Sequence, residues 1–438
     1  MTSSSQMHPE DPPSQLPAQQ APARTRRLTP RRRAVPVQDD ISDARRALVI
    51  VALSVGAFGI GVTEFVAMGL LPYIAEAFGR NENEAGRMIS MYALGVVVGA
   101  PLITVLTGRI PRRRLLLLLM AAFTLGNAAT VWAGTLGHFE AVMASRFIAG
   151  LPHGAYFSVA GLVAASLARP GQRGKMVALS GLGLSVATVI GVPAAQVLGQ
   201  IYGWRAAFVF VALIGLAALV ALWCAVPHMT RMPATRAREE LSALITPQVL
   251  LTVAIGTVGF GGMFAVYTYI TWTMTQVAGM AESWMWLVLM AYGVGMVVGT
   301  YVGGWLSDRI GDWGILVALV SMVVMLTAFY LTSTHPVWGT LNFLTIGLLG
   351  SVLVPNLQTR LMDVAGRAQT LAAALNQAAL NMATAGGAAL GGWVIAAGYG
   401  YRAPSLAGAA LAVAAIAIAA PTIIGYRRRT ARGRIRTS

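Results

Sequence analysis

The sequence predicts an all-α integral membrane protein, with twelve transmembrane helices in two parallel-repeat six-helix bundles. Three observations carry that expectation. Of the 438 residues, 56% are hydrophobic and only 11% charged, and the mean hydropathy is +0.66, whereas a soluble domain carries about 25% charged residues to clothe its surface. The apolar residues gather in stretches of roughly 20, the length that crosses a hydrocarbon core about 30 Å thick at 1.5 Å per residue. The stretches in the second part of the chain repeat those in the first.

In chain order, residues 1–46 are polar, rich in Pro, Gln and Ser, and carry the basic runs Arg26-Arg27 and Arg31-Arg32-Arg33. They contain no apolar signal-peptide core and read as a disordered basic extension, whose arginines set orientation or touch anionic lipid. Helices are expected at 47–72, 86–107, 115–134, 140–168, 175–201 and 205–227, forming an N-terminal half over 47–227. A polar interruption at 228–247 follows, read either as an amphipathic surface helix or as a plain connector. The C-terminal half, 248–426, holds helices at 248–275, 284–307, 314–333, 337–362, 368–397 and 403–425, and 427–438 form a basic tail.

A net charge of +16 suggests nucleic acid if it is spread over a soluble surface. It is not spread. Of the 32 Lys and Arg residues, 27 fall in the two ends and in alternate loops (109–114, 169–175, 231–238, 309 and 360–367), while Arg80, Arg87, Arg205 and Arg402 occupy the opposite loops. Positive loops stay in the cytoplasm, so both termini are expected there, in a multi-pass protein of the cell inner membrane with no nucleic-acid partner.

The internal repeat holds register at an offset of 200. Gly56, Gly59 and Gly61 fall on Gly256, Gly259 and Gly261; Tyr92, Gly95 and Gly99 fall on Tyr292, Gly295 and Gly299; Arg109 and Ile110 fall on Arg309 and Ile310. Near the end of each half, Gly203-Trp204-Arg205 answers Gly400-Tyr401-Arg402 at an offset of 197. Two parallel six-helix halves form a known transporter layout, with the substrate site between them near mid-membrane.

One acidic residue falls deep in an apolar segment: Glu64, in Gly61-Val62-Thr63-Glu64-Phe65. An ionised carboxylate at that depth costs roughly 2.5 to 3.5 kcal/mol, which suits a group that takes up and releases a proton. A structural glutamate held by a hydrogen bond or ion pair is the competing reading. Arg146 is the one buried cation expected, and it either pairs with Glu64 or binds carbonyls and polar side chains. His153 lies seven residues on, on roughly the same face, as a proton relay or a hydrogen-bonded histidine. Tyr156, Tyr267, Tyr269, Trp272, Asn376, Gln377 and Asn381 are candidates to line a central cavity.

Glycines in four-residue steps (Gly95/Gly99, Gly150/Gly154, Gly199/Gly203, Gly295/Gly299/Gly303, Gly387/Gly391) read as close helix contacts. Gly191 and Pro193 mark a helix bend. The single lysine, Lys175, is not part of a Gly-x4-Gly-Lys phosphate loop, so ATP is not expected to drive the chain directly. Cys224 is the sole cysteine, and no cofactor or metal is expected.

These residues resemble the major facilitator superfamily over about 47–426. Its loop signature, Gly-x-Leu-Ala/Ser-Asp-Arg-x-Gly-Arg/Lys, is matched by Gly304-Trp305-Leu306-Ser307-Asp308-Arg309-Ile310-Gly311, with Asp312 where the family has a basic residue. In the first half, Gly108-Arg109-Ile110-Pro111-Arg112-Arg113-Arg114 keeps the basic character, but Gly108 replaces the usual aspartate. The resemblance implies a gating loop formed by Gly304, Asp308, Arg309, Gly108, Arg109 and Arg112. Arg146 to Gly154 is similar to the family's helix 4 arginine motif, which assists proton transfer, and Gly183, Gly191 and Pro193 are similar to its helix 5 antiporter motif. Thr63-Glu64-Phe65 with Met68-Gly69-Leu70-Leu71-Pro72 resembles the twelve-helix drug:proton antiporters, in the arabinose-efflux-like and chloramphenicol-exporter-like branch. The function so implied is a proton-coupled antiporter exporting a small amphiphilic compound by alternating access. Its expected partners are the substrate, protons and the lipid bilayer, and it is expected to act as a monomer. Sugar or nucleoside export, uncoupled facilitation, and a membrane-embedded enzyme using His153 are the alternatives.

Overall fold

The structure, a computed structural model, describes residues 41–107, 110–169, 172–227, 246–365 and 369–435. Among them are twelve helical spans long and apolar enough to cross a membrane. The expected extension (1–46), linker (228–247) and tail (427–438) fall mostly outside the described residues or among side chains not described, as do Gly108 and Arg109 of the gating loop.

Helix α1 runs Asp43–Gly69. It starts before residue 47 because Ser42 Oγ accepts from the Arg45 amide at 3.3 Å, a helix N-cap. Asp43 then bridges Arg46 of the same turn and Arg169, 2.5 Å away. The helix stops at Leu70 (φ −94°, ψ 6°), and α2 (Leu71–Phe78) continues with Pro72 in its first turn. A capping box between Asn81 and Glu84 starts α3, Glu82–Leu106. Then come α4 (Arg112–Thr135), α5 (Phe139–Ser166), α6 (Arg173–Val186), a π turn at Ala187–Gly191, α7 (Val192–Tyr202) and α8 (Trp204–Ala225). The π turn lies just before Pro193, which has no amide hydrogen to offer the preceding turn. The chain therefore changes hydrogen-bond register at the place where Gly191 and Pro193 suggested a bend.

The second half repeats this plan. It comprises α9 (Pro247–Thr268), the short α10 (Ile270–Trp272) with a π turn at Thr273–Val277, α11 (Met285–Ile310), α12 (Trp313–Thr332), α13 (Pro336–Ala365), α14 (Gln369–Val394) with a π turn at Ile395–Tyr399, and α15 (Ala403–Ile435). The unbroken helix expected at 248–275 is interrupted at Tyr269 (φ −111°, ψ 14°), matching the break at Leu70. Tertiary bonds flank the break. The Tyr269 hydroxyl donates to Ala388 O at 2.8 Å, and Thr271 Oγ1 reaches across to Gly69 O at 2.9 Å.

Backbone contact at glycine makes the repeat three-dimensional. A methyl group added at Gly95 would stand 2.2 Å from Phe147 O, and one at Gly295 would stand 2.1 Å from Leu344 O; Gly99 meets Leu151 O as Gly299 meets Leu348 O. Without hydrophobic drive in lipid, such close approach holds helices together by packing. Gly203 departs from the packing expectation. It has φ +86° with nothing near its Cβ direction, so it turns the chain between α7 and α8 instead of seating a helix.

The two ends of the bundle differ. At the basic end, Arg46 Nε donates to Leu167 O at 2.7 Å and Arg113 to Trp223 O at 2.6 Å, each within the first half. Among the described residues, the side-chain hydrogen bonds that join one half to the other lie toward the far end. They are Tyr73 to Glu282 (2.7 Å), Gln200 to Glu282 O (2.7 Å), Thr271 to Gly69 O, Ser90 to Ala385 O (3.1 Å) and Tyr401 to Glu82 (2.5 Å). The far end is thus closed by bonds between the halves.

Partial burial and the Glu82 carboxylate push the Tyr401 phenol up to about 12 from 10.0, and Tyr73 is likewise raised by burial and Glu282. A raised acid favours folding while protonated, so the Tyr401 contribution is complete below about 10 and lost only as pH climbs through about 12. Both phenols therefore remain donors at any working pH. Removing them together, as Tyr73→Phe/Tyr401→Phe, is expected to raise the far-open population about tenfold or more, since a hydrogen bond to a charged group is worth roughly 1.5–3 kcal/mol. Spin labels at the exposed Tyr202 and Tyr399 would show the longer-distance peak growing. An unchanged distance distribution would mean these bonds do not hold the end closed.

Candidate functional site

The site is built where α1, α3, α4 and α5 meet. Adjacent residues on a helix point about 100° apart, so Thr63 turns toward α4 and α5 while Glu64 turns to the bundle centre. Thr63 is fully buried and donates to Asn127 Oδ1 at 2.6 Å. Arg146, 1% exposed, completes this cluster: Nη1 donates to Thr63 Oγ1 (2.9 Å) and Asn127 Oδ1 (3.3 Å), and Nη2 to Thr63 O (3.1 Å). Its guanidinium lies over Tyr92 at 4.3 Å and Phe208 at 5.1 Å, a cation–π sandwich in a dry setting. Of the two partners open to Arg146, the structure selects carbonyl and polar side chains and not Glu64, whose side chain has no hydrogen-bond or ion-pair partner among the described residues.

His153, two turns along α5, places Nδ1 3.1 Å from the Tyr92 hydroxyl and lies tilted against the Phe157 ring at 5.4 Å. When the phenol donates, the neutral imidazole carries its hydrogen on Nε2. Arg146, Tyr92 and His153 thus form one continuous contact chain behind Glu64.

Glu64 and His153 line a central cavity of about 390 Å³, within the size range of small-molecule sites. Phe65, Phe260, Met263, Phe264 and Met296 give it apolar walls, and Ser185, Ser351, Gln377 and Asn381 supply scattered polar groups. Toward the basic end its lining becomes exposed at Val177 (39%) and Tyr301 (73%).

The other candidate residues disperse. Gln377 and Asn381 line the cavity. Asn376, 3% exposed, does not border it. Tyr156 also lies outside the lining: its hydroxyl donates to Leu53 O at 2.8 Å and its ring fills the space beside Gly56. Tyr267 is held edge-on to Tyr292 at 4.5 Å and near Phe65 at 5.5 Å, one layer behind the wall. Tyr269 and Trp272 stack toward Tyr401 at the far end.

At the basic end, Gly304 stands open, Asp308 is exposed and Arg309 packs over Trp305 at 4.9 Å, while Arg112, 9% exposed, starts α4. Arg360 is not a loop cation. It is 1% exposed within α13 and donates to Asp312 at 2.5 Å, Gln248 at 3.2 Å and Thr252 at 3.2 Å. Asp312, which departs from the family signature, is therefore the acceptor for a buried arginine of the same half.

Residues that sequence reasoning missed are Thr63 as a bracket, Asn127 and Tyr92. A lone asparagine in the leucine-rich stretch of α4 was the available signal. Glu82 and Glu282 fasten the far end.

The repeat sharpens the site. Phe147 matches Leu344 and Gly150 matches Gly347 in their helix contacts, which sets Arg146 against Phe343 and His153 against Gly350. Glu64 matches Phe264 at the offset of 200. The second half fills these places with carbon: Phe343 lies 4.6 Å from Tyr292 and 5.5 Å from Tyr267.

Among the described residues, twelve helices long and apolar enough to cross a membrane, in two repeats about a central cavity, fit a multi-pass transporter. The Major Facilitator Superfamily model matches residues 53–374, and the chain belongs to that superfamily. It is 37% identical over 360 residues to the inner membrane transport protein YdhP of Escherichia coli strain K12, covering 82% of this chain and 92% of that one. It is 34% identical over 338 residues to the chloramphenicol resistance protein of Streptomyces lividans, covering 75% and 86%. Among solved structures, the fold matches a bacterial homologue of the human lysosomal transporter Spinster in an inward-facing, unoccupied conformation (TM-score 0.70, 16% identity, 88% and 99% covered). It also matches a D-xylose–proton symporter (TM-score 0.64, 17% identity, 84% and 97% covered). The chain is thus a transporter and not an enzyme, which removes the alternative of a membrane-embedded enzyme using His153.

Proposed function

We propose that the protein is a proton-coupled antiporter that exports a small amphiphilic compound by alternating access, with both termini in the cytoplasm and the basic end facing it. The observation that carries this is Glu64: a carboxylate at mid-helix, on the wall of the cavity, whose nearest cation is already committed to Thr63 and Asn127. An unpaired carboxylate is costly to enclose, so the cavity closes most readily around a proton or around a substrate that compensates the charge. Protonation from the outside then favours release there, and loss of the proton to the cytoplasm restores binding.

The walls support the substrate class. Aromatic and methionine side chains accommodate varied apolar shapes, and the scattered amides and hydroxyls orient one polar end. A potential of 100 mV supplies about 2.3 kcal/mol per charge moved, enough for a gradient of roughly fortyfold.

The test uses the full chain in proteoliposomes loaded with a lipophilic test compound such as chloramphenicol. An imposed pH gradient is expected to drive the compound to several times its equilibrium distribution, and a protonophore to collapse it. Flux that ignores both makes the protein a facilitator and overturns the coupling.

A further inference from the structure

A second cavity, of about 610 Å³, lies between α1 and α6 and does not belong to the central site. At its basic end stand Asp43, Arg46, Gln172 and Lys175; beyond them run Ile50, Val51, Val55 and Phe58 of α1 against Met176, Leu179, Leu182 and Val186 of α6. The floor is closed. Gly183 brings the two backbones together, where an added methyl would meet Ser54 O at 1.8 Å, and Ser54 Oγ spends its hydrogen on Leu179 O at 2.7 Å. Ser54 is, among the described residues, the one polar side chain along the groove between its mouth and Val186, and its hydrogen is already donated, while the lips are exposed apolar side chains: Val51 57%, Leu182 44% and Val186 40%.

Its mouth is different in kind. Asp43 bridges both Arg46 and Arg169, so one carboxylate answers two guanidinium groups, and Lys175, exposed on the first turns of α6, adds a further positive charge. Among the described residues this leaves two positive charges in excess at the mouth, near the ends of α1 and α6. An apolar slot between membrane helices headed by a basic cluster fits an amphiphile with a negative head and a hydrocarbon tail.

We propose that this groove is a binding site for an anionic glycerophospholipid of the leaflet at the basic end. The phosphate is held by Lys175 and the Arg46–Arg169 pair, and one acyl chain lies along Ile50, Val55 and Leu179. Leu182 borders both this groove and the central cavity, so the bound chain buttresses the wall of the transport site from behind.

Native mass spectrometry on the full chain in detergent, titrated with phosphatidylglycerol or phosphatidylcholine of identical acyl chains, tests this. The wild type is expected to retain phosphatidylglycerol preferentially. Lys175→Gln is expected to weaken that lipid about fivefold and leave phosphatidylcholine unchanged, the effect of one basic residue near a membrane surface; Lys175→Arg is expected to restore it. Val51→Trp, which fills the slot from an exposed position, is expected to weaken both lipids. Equal retention of the two lipids by the wild type, or indifference to Lys175→Gln, overturns the headgroup site. Loss with Lys175→Gln but not with Val51→Trp reduces it to surface attraction and overturns the groove.

Discussion

Glu64→Gln protein is expected to bind its substrate and to lose proton-driven accumulation entirely, leaving the compound at its equilibrium distribution where the wild type maintains up to roughly fortyfold per 100 mV. The amide has the shape of the protonated acid and cannot change charge. Because Glu64 has no ion-pair partner among the described residues, the substitution strands no cation, and Arg146 keeps its bonds to Thr63 and Asn127. Folding and thermal stability should therefore be close to wild type, which separates loss of coupling from loss of protein. Substrate exchange without a gradient should persist. Accumulation that survives in the variant would place the proton elsewhere.

Arg146→Lys is the second large effect. Charge is retained and geometry is lost: three hydrogen bonds from two nitrogens to Thr63 and Asn127, and a flat face between Tyr92 and Phe208, require a planar fork that an ammonium group does not have. At about 1.5–3 kcal/mol for each charge-assisted bond, losing even one costs tenfold or more in the population of the working geometry. Transport is expected to fall at least tenfold. Adding Thr63→Val should then cost little more, because the two residues act through one network. Additive losses in that double variant, or near-normal transport by Arg146→Lys, would show the arginine to be a point charge only.

The helices were legible because lipid imposes a single composition on every span, and the repeat was legible because glycine contacts tolerate no substitution where backbones touch, as at Gly95 and Gly295. Helix ends were less so. Ser42 and Asn81 cap through side chains that look like ordinary polar residues before a span, and the break at Tyr269 coincides with bonds to partners more than a hundred residues away, Ala388 and Gly69. Glu64 and Arg146 could be picked out by cost, since charge is rare at that depth. Their relation could not: which acceptors hold the guanidinium depends on Thr63 and Asn127, brought in from α1 and α4. Aromatic residues gave the weakest guidance, because a tyrosine one layer behind a wall and one in the wall have the same neighbours in sequence. Tyr156 and Tyr267 fell on the wrong side of that distinction.

The replacement of Glu64, Arg146 and His153 by Phe264, Phe343 and Gly350 in the second half has an electrical consequence. If Glu64 carries one proton per cycle, as proposed, swapping it for an uncharged molecule carries net current, whereas swapping it for a monovalent cation carries none. Membrane voltage would then power the first exchange and be invisible to the second, so the current recorded during turnover would report the valence of whatever the protein carries.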